Sequence, residues 1–249
     1  MKRLLSTVAV LMTCATGGAL AGEAPHWTYS GEEGPVHWGT LDPAYAACST
    51  GKLQSPIDLS AEGSETAFHI DAAYSSVPLT VLNNGHTVQI AADAAGTLVS
   101  GGTTYNLVQV HFHAPSEHVI DGRPAPIEAH FVHKSDDGSL AVLGVFVVEG
   151  AENPALAAVL SHLPATTTPA ETYSDVAVDL VAMLPKDMSV YRYMGSLTTP
   201  PCTEGVAWHV LKQPITASKE QIGQLAIVLH GNARPVQPLN GRPLILPSS

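Results

Sequence analysis

The chain has 249 residues, with 11 Lys plus Arg against 22 Asp plus Glu, a formal charge of −11, 45% hydrophobic and 13% charged residues. That balance excludes a nucleic-acid partner, whose phosphates require clustered Lys and Arg, and the apolar fraction excludes a disordered chain. Nineteen Pro and 21 Gly without a period point to many turns in a β-rich fold. Lys2 and Arg3 precede a short apolar run, Leu4 to Met12, and Ala19-Leu20-Ala21 matches a small-x-small cleavage site. Residues 1–21 are therefore expected to be a cleaved secretory signal, too short to anchor in a membrane. Cys14 is assigned to this segment rather than to a lipid attachment, because Thr13 is large for such a site. The remaining 228 residues carry 9 basic and 22 acidic side chains, a charge of −13 that favours solubility and avoids anionic lipid.

From Gly22 to about Lys52 the chain is rich in Gly and aromatic residues without period, and ordered coil is expected. Leu79 to Leu82 and Thr87 to Ala91 flank Asn84-Gly85, the strongest hairpin signal. Further strands are expected at Thr104 to Ala114, Ile127 to Lys134, Leu140 to Val148, Ser189 to Tyr193 and Val206 to Leu211. Two helices stand out. Asn153-Pro154 introduces Ala155 to Leu163, ended by Pro164, and a capping box from Ser218 to Gln221 introduces Ile222 to Leu229, with Gly231 beyond its end. With no linker and no internal repeat, residues 22–249 read as one domain. Cys48 and Cys202 remain after the signal, and an even cysteine count in an exported chain favours a bridge over two unrelated buried thiols.

Strand alternation places Gln109, His111 and His113 on one face, and Glu128, His130 and Val132 on one face of the next strand. An antiparallel pairing brings His130 beside the first two histidines. Three neutral imidazoles without a thiolate make a tetrahedral zinc site with one position open to water, the catalytic pattern. Gln109 and Glu128 each stand two residues before a ligand, placed to accept its second ring proton and fix its tautomer. The other histidines, including His118, His133 and His209, default to structural or solvated roles.

At this point the sequence resembles the alpha-class carbonic anhydrases, closest in character to exported bacterial members. The resemblance runs through His26-Trp27-x-Tyr29, Gly34-Pro35-x-x-Trp38, Gln54-Ser55-Pro56-Ile57-Asp58, Asn83-Asn84-Gly85-His86, Gln109-x-His111-x-His113, Ser116-Glu117-His118, Glu128-x-His130, Gly195 to Pro201 and Arg234-Pro235-x-Gln237-Pro238-Leu239. It implies a mainly β, α+β fold: a largely antiparallel, twisted sheet of about ten strands, a few peripheral short helices and a conical cleft leading to zinc. It also implies a Cys48–Cys202 disulfide, common in the bacterial branch.

The activity implied is reversible hydration of carbon dioxide to bicarbonate and a proton, a lyase reaction by hydroxide on Zn2+ held by His111, His113 and His130. The resemblance makes Thr198 the hydroxide aligner that donates to Glu117, and puts Thr199 beside it in the substrate pocket. Val132, Val142, Leu197, Val206 and Trp208 resemble the apolar wall for carbon dioxide. His86 matches the proton shuttle, with Tyr29 and Asn83 among the polar residues that order water between it and zinc. Ala114 departs from the Trp of many animal members, on the side facing away from the metal. Esterase activity is expected as a side reaction, because no Gly-x-Ser-x-Gly elbow is present. Localisation is expected to be periplasmic or secreted from a bacterium, with no membrane contact after cleavage. A homodimer is compatible with the resemblance, and no interface motif demands it.

Overall fold

The computed structural model describes residues 26–60, 63–65 and 68–247, so the expected signal segment and Cys14 lie outside the described residues. Fifteen strands are described, and thirteen of them join one twisted sheet. In chain order they are β1 (Ser64–Glu65), β2 (Ile70–Tyr74), β3 (Val77–Asn83), β4 (Val88–Ala91), β5 (Gly96–Ser100), β6 (Thr103–His113), β7 (Val119–Ile120), β8 (Arg123–Pro124), β9 (Ile127–Lys134), β10 (Leu140–Glu149), β11 (Thr168–Val178), β12 (Val190–Ser196), β13 (Glu204–Leu211), β14 (Ile215–Ala217) and β15 (Ile245–Leu246). The main path runs β1-β15-β12-β13-β10-β9-β6-β4-β3-β11, with β14 beside β10, and β5 joining β2 to β6. Most pairs are antiparallel. The sheet is nevertheless mixed, because β10 pairs in parallel with β13 and β14, and β1 with β15.

Alternation sorts the central strands into two faces. Val110 and Phe112 of β6, Ala129 and Phe131 of β9, and Leu143 and Val145 of β10 enter the larger apolar cluster. Two short helices, α1 (Trp38–Leu41) and α2 (Ala47–Thr50), lie near the N-terminus, and two later ones cover that face, for Leu156 and Val159 of α3 (Pro154–Leu160) and Leu225 and Leu229 of α4 (Lys219–Leu229) belong to the same cluster. Val142, Trp208, Tyr193 and Phe146 pack on the opposite face. The polar residues of β6 and β9 share that second face, which is where a site can form.

Both expected helices are present and begin on the expected signals. Asn153 Oδ1 accepts from the N–H groups of Ala155 and Leu156, and Ser218 with Gln221 completes a reciprocal capping box. Helix α3 ends at Leu160 rather than Leu163, because His162 and Leu163 bond to carbonyls three residues back in a tighter turn. In α4 the left-handed cap is His230, at φ 53°, followed by Gly231 at φ 78°.

The N-terminal segment expected as coil instead contains α1 and α2 with intervening 3-10 turns, gathered around the fully buried Trp38. Strands β2, β5 and β11 were not expected. The last is an 11-residue edge strand whose residues are mostly exposed, so it carries no apolar alternation to read. Cys48 and Cys202 form a disulfide, and their bond pins α2 to the loop that follows Thr198.

Candidate active site

The β6–β9 ladder pairs His111 with His130 and His113 with Glu128, so the two strands put three imidazoles on one patch of the sheet. One nitrogen from each of His111, His113 and His130 lies within 4.8 Å of the others. The remaining nitrogens each face an acceptor. His111 Nδ1 donates to Gln109 Oε1 at 2.9 Å and His113 Nδ1 donates to the Asn232 carbonyl at 2.8 Å. His130 Nε2 stands 3.0 Å from Glu128 Oε1. Amide carbonyls and an ionised carboxylate only accept, so each ring keeps its proton on the outer nitrogen and turns a lone pair inward. The inward atoms are therefore Nε2 of His111, Nε2 of His113 and Nδ1 of His130.

His113 Nε2 is buried without any hydrogen-bond partner, a cost that an ion on the three lone pairs would remove. Burial also keeps the rings neutral, as metal ligation requires. It pushes His113 down to about 4 and His111 well below its ordinary value, and it lowers His130 too. Glu128 is held well below the usual carboxylate range: burial pushes it up, but His118 and His130 pull harder. Its Oε2 also accepts the backbone N–H groups of Glu117 and His118, both at 2.9 Å. Gly144 lies opposite His130 on β10, and any Cβ there would stand 2.9 Å from Glu128 Oε1. Glycine is needed for that close approach.

Behind the triad, Glu117 is 2% exposed and directs Oε2 to within 3.6 Å of His113 Nε2 and 4.0 Å of His130 Nδ1. Its Oε1 accepts the Arg234 N–H at 2.9 Å. Burial pushes this carboxyl up to about 7, opposed by His130, by the Thr198 hydroxyl and by the Arg234 N–H. Thr198 is itself buried, on the loop between β12 and β13. Val142, Val206 and Trp208 sit in one apolar cluster with Val132 and Leu197 against it, forming a wall beside the imidazoles. The Trp208 ring centroid is 4.9 Å from that of His130.

A cleft of ≈ 220 Å³ opens above His111 and His113, bordered by Thr199, Tyr29, Gln89 and His86. The loop at its mouth has four residues, 84–87, because β3 ends at Asn83 and β4 starts at Val88. Gly85, at φ 87°, takes its left-handed position. His86 stacks on Trp27 with ring centroids 3.7 Å apart, and burial, then the neighbouring His26, lowers its pKa. Asn83 uses both ends of its amide on protein atoms, donating to the Pro164 carbonyl and accepting from Gly85 N–H. It shapes the loop that carries His86. Ala114 is buried with the larger cluster, on the far side from the imidazoles.

Sequence reasoning missed the particular tasks of three residues here. Asn232 holds His113 through a backbone carbonyl 119 positions away, which no side-chain pattern reveals. His118 has the structural role expected of it, and its particular task is to link Glu128 Oε1, at 2.7 Å, to the Tyr193 hydroxyl, also at 2.7 Å. Arg234 entered only as a motif letter, and its guanidinium joins Gln54, the Ser55 carbonyl and the Cys48 carbonyl under the site.

A three-imidazole centre on a twisted sheet, backed by a carboxylate and an apolar wall, is positioned to hold a metal ion, as in a metalloenzyme that acts on a small molecule. Residues 33–247 match the family described as eukaryotic-type carbonic anhydrase. A carbonic anhydrase of Pectobacterium carotovorum is 44% identical over 246 residues, covering 98% of this chain and all of that protein. One from Neisseria gonorrhoeae is 40% identical, covering 96% of this chain and 95% of its own. Among solved structures, the alpha-carbonic anhydrase of Thermovibrio ammonificans in complex with sulfanilamide superposes with a TM-score of 0.86 at 44% identity, over 90% of this chain and all of that one. The chain belongs to the eukaryotic-type, or alpha, carbonic anhydrase family, and it is an enzyme of that activity.

Proposed function

We propose that this enzyme carries out zinc-dependent, reversible hydration of carbon dioxide, with zinc on His111 Nε2, His113 Nε2 and His130 Nδ1. The observation that supports this most is the convergence of three inward lone pairs whose tautomers are fixed by Gln109, Asn232 and Glu128. Three neutral nitrogen donors suit zinc over calcium or magnesium, which take oxygen ligands. When bound, zinc supplies the Lewis acidity that makes water a nucleophile at neutral pH. The doubly charged ion would also draw the Glu117 carboxyl back down from its raised value, keeping it ionised.

The chain's own residues then divide the work. Against an ionised Glu117 the Thr198 hydroxyl can only donate, so its oxygen would be left to accept a hydrogen bond from the attacking group and orient it toward carbon dioxide. Val132, Val142, Leu197, Val206 and Trp208 offer carbon dioxide a surface without competing water, while Thr199 provides a hydroxyl at the pocket's rim. Bicarbonate forms as the C–O bond closes. The proton released in each cycle would leave through His86, an imidazole bordering the cleft over His111 and His113, to buffer outside. Tyr29 lines the same cleft as His86, His111 and His113.

The same reading takes residues 1–21 as a cleaved signal and 22–249 as the catalytic domain, exported to the periplasm or medium. The Cys48–Cys202 bond supports an oxidising compartment. Among the described residues no helix is long and apolar enough to cross a membrane.

His130→Ala tests the zinc assignment. Two imidazoles hold the ion poorly, so bound zinc measured by mass spectrometry of the metal should fall well below one per chain, and carbon dioxide hydration should vanish with it. Full zinc content and activity in that variant would reject the ligand set.

A further inference from the structure

The loop bearing His86 has open space on two sides. One side borders the cleft over the imidazoles, and behind it lies a second cavity of ≈ 220 Å³ walled by His26, Ser30, Leu229 and His230. The His86 ring packs on Trp27, while the space on either side leaves hydrogen bonds to hold the loop's backbone. Asn84 Oδ1 accepts from the N–H groups of His86 and Thr87, which shapes the turn but ties it to nothing outside. Beyond the β4–β6 ladder, which begins at Gln89 opposite His111, the loop is held at Thr87, whose hydroxyl also accepts the Phe112 N–H at 3.3 Å, and at His86. The Thr87 hydroxyl donates to the Phe112 carbonyl at 2.7 Å, and Asn232 Nδ2 donates to the His86 carbonyl at 3.0 Å.

Asn232 is 1% exposed, and its amide is fully used. Besides His86, Nδ2 reaches the Phe112 carbonyl at 2.9 Å, and Oδ1 accepts the Ala114 N–H at 2.9 Å. One side chain thus grips the end of β6 on both sides of His113 and the residue at the cleft mouth. We propose that the Asn232 amide is a positioning residue, which clamps the His86 loop to the end of β6 and so sets the distance over which the proton must pass. This rests on His86 being the proton relay. It is separate from the hold on His113, which uses the Asn232 backbone carbonyl and survives any change of side chain.

The test uses zinc-loaded Asn232→Ala, Asn232→Asp, His86→Ala and the double variant His86→Ala/Asn232→Ala. Asp keeps the acceptor for Ala114 N–H but sets an oxygen against the His86 carbonyl, so it serves if the Ala protein does not fold. Turnover in dilute buffer should fall about tenfold, the low end of losses for outer-shell contacts, while kcat/KM falls no more than about twofold. Added imidazole should restore turnover, because a diffusible base needs no fixed loop. The double variant should be no slower than His86→Ala alone, since the clamp matters only through His86.

Several results would overturn the proposal. They are full turnover in both Asn232 variants, additive losses in the double variant, or lost zinc with parallel falls in kcat and kcat/KM that imidazole does not relieve. The last would place the effect on His113. If His86→Ala itself turns over at full speed in dilute buffer, the relay reading fails and takes this inference with it. A slow His86→Ala beside unimpaired Asn232 variants rejects the clamp alone.

Discussion

Two buried histidines outside the active site make the fold acid-sensitive by an amount that can be worked out. His133 Nε2 pairs with the Tyr74 hydroxyl at 2.7 Å and His209 Nε2 with the Ser100 hydroxyl at 2.7 Å, and both rings are fully buried. Burial pushes His133 down to about 4, and burial with Arg192 and His133 nearby pushes His209 down to about 3. Unfolded, each titrates near the ordinary imidazole value of about 6.5. Below that pH the unfolded chain takes up protons that the folded chain refuses. Stability is thus complete above pH 6.5 and declines as the pH falls, by about 1.4 kcal/mol per pH unit per histidine, or about 3 kcal/mol each by pH 4. Replacing His133 by Gln removes one titrating group from this region. Urea unfolding of metal-free protein, measured from pH 7 to pH 4, should give a variant whose stability declines less steeply by about one proton. Carboxylates and the remaining histidines cancel in the difference between the two proteins. Parallel curves for wild type and His133→Gln would show that His133 takes up its proton as readily folded as unfolded, and the burial argument would be wrong.

Removing the disulfide should act on stability rather than on the chemistry. Cys48 and Cys202 are 154 positions apart, so Cys48→Ser should lower the unfolding free energy by about 5 kcal/mol on the chain-entropy estimate, read from urea unfolding with and without reductant. An unchanged midpoint would rule that out. Thr198→Ala should reduce kcat/KM by about 10- to 100-fold with no rescue by imidazole, because the lost contact orients the attacking group. His86→Ala should do the reverse, lowering turnover in dilute buffer, sparing kcat/KM and responding to imidazole, and stopped-flow hydration assays separate the two patterns.

What the sequence revealed of the fold depended on whether the information was local. The Asn84-Gly85 hairpin, the Ser218 capping box and the alternation through β6 and β9 are each written within a dozen residues, and each is present. β11 was invisible because an exposed edge strand needs only backbone bonds to β3, which leave no period in its side chains. The helical turns near Trp38 were missed for a related reason. Helices of four residues show no full amphipathic repeat, and these are stabilised by burying one ring rather than by propensity.

The active site divides along the same line. Gln109, His111 and His113 can be read from one strand and Glu128 with His130 from its neighbour, because period two fixes which side chains share a face. The histidine that most resists such reading is His113, whose second nitrogen is held by a carbonyl. Every residue has a carbonyl, so nothing in the identity of Asn232 announces that role. Arg234 reaches Glu117 in the same way, through its N–H, while its guanidinium binds groups more than 170 positions away in sequence. Main-chain support of this kind is insensitive to the side chain that provides it, so truncating Asn232 or Arg234 perturbs what the side chain touches before it perturbs the metal centre. For Asn232 these are the His86 loop and the end of β6 beside His113, and for Arg234 the disulfide-bearing N-terminal segment. Two residues separated only by Ala233 thus send their side chains to different supports, while the Asn232 carbonyl reaches His113 and the Arg234 N–H reaches Glu117.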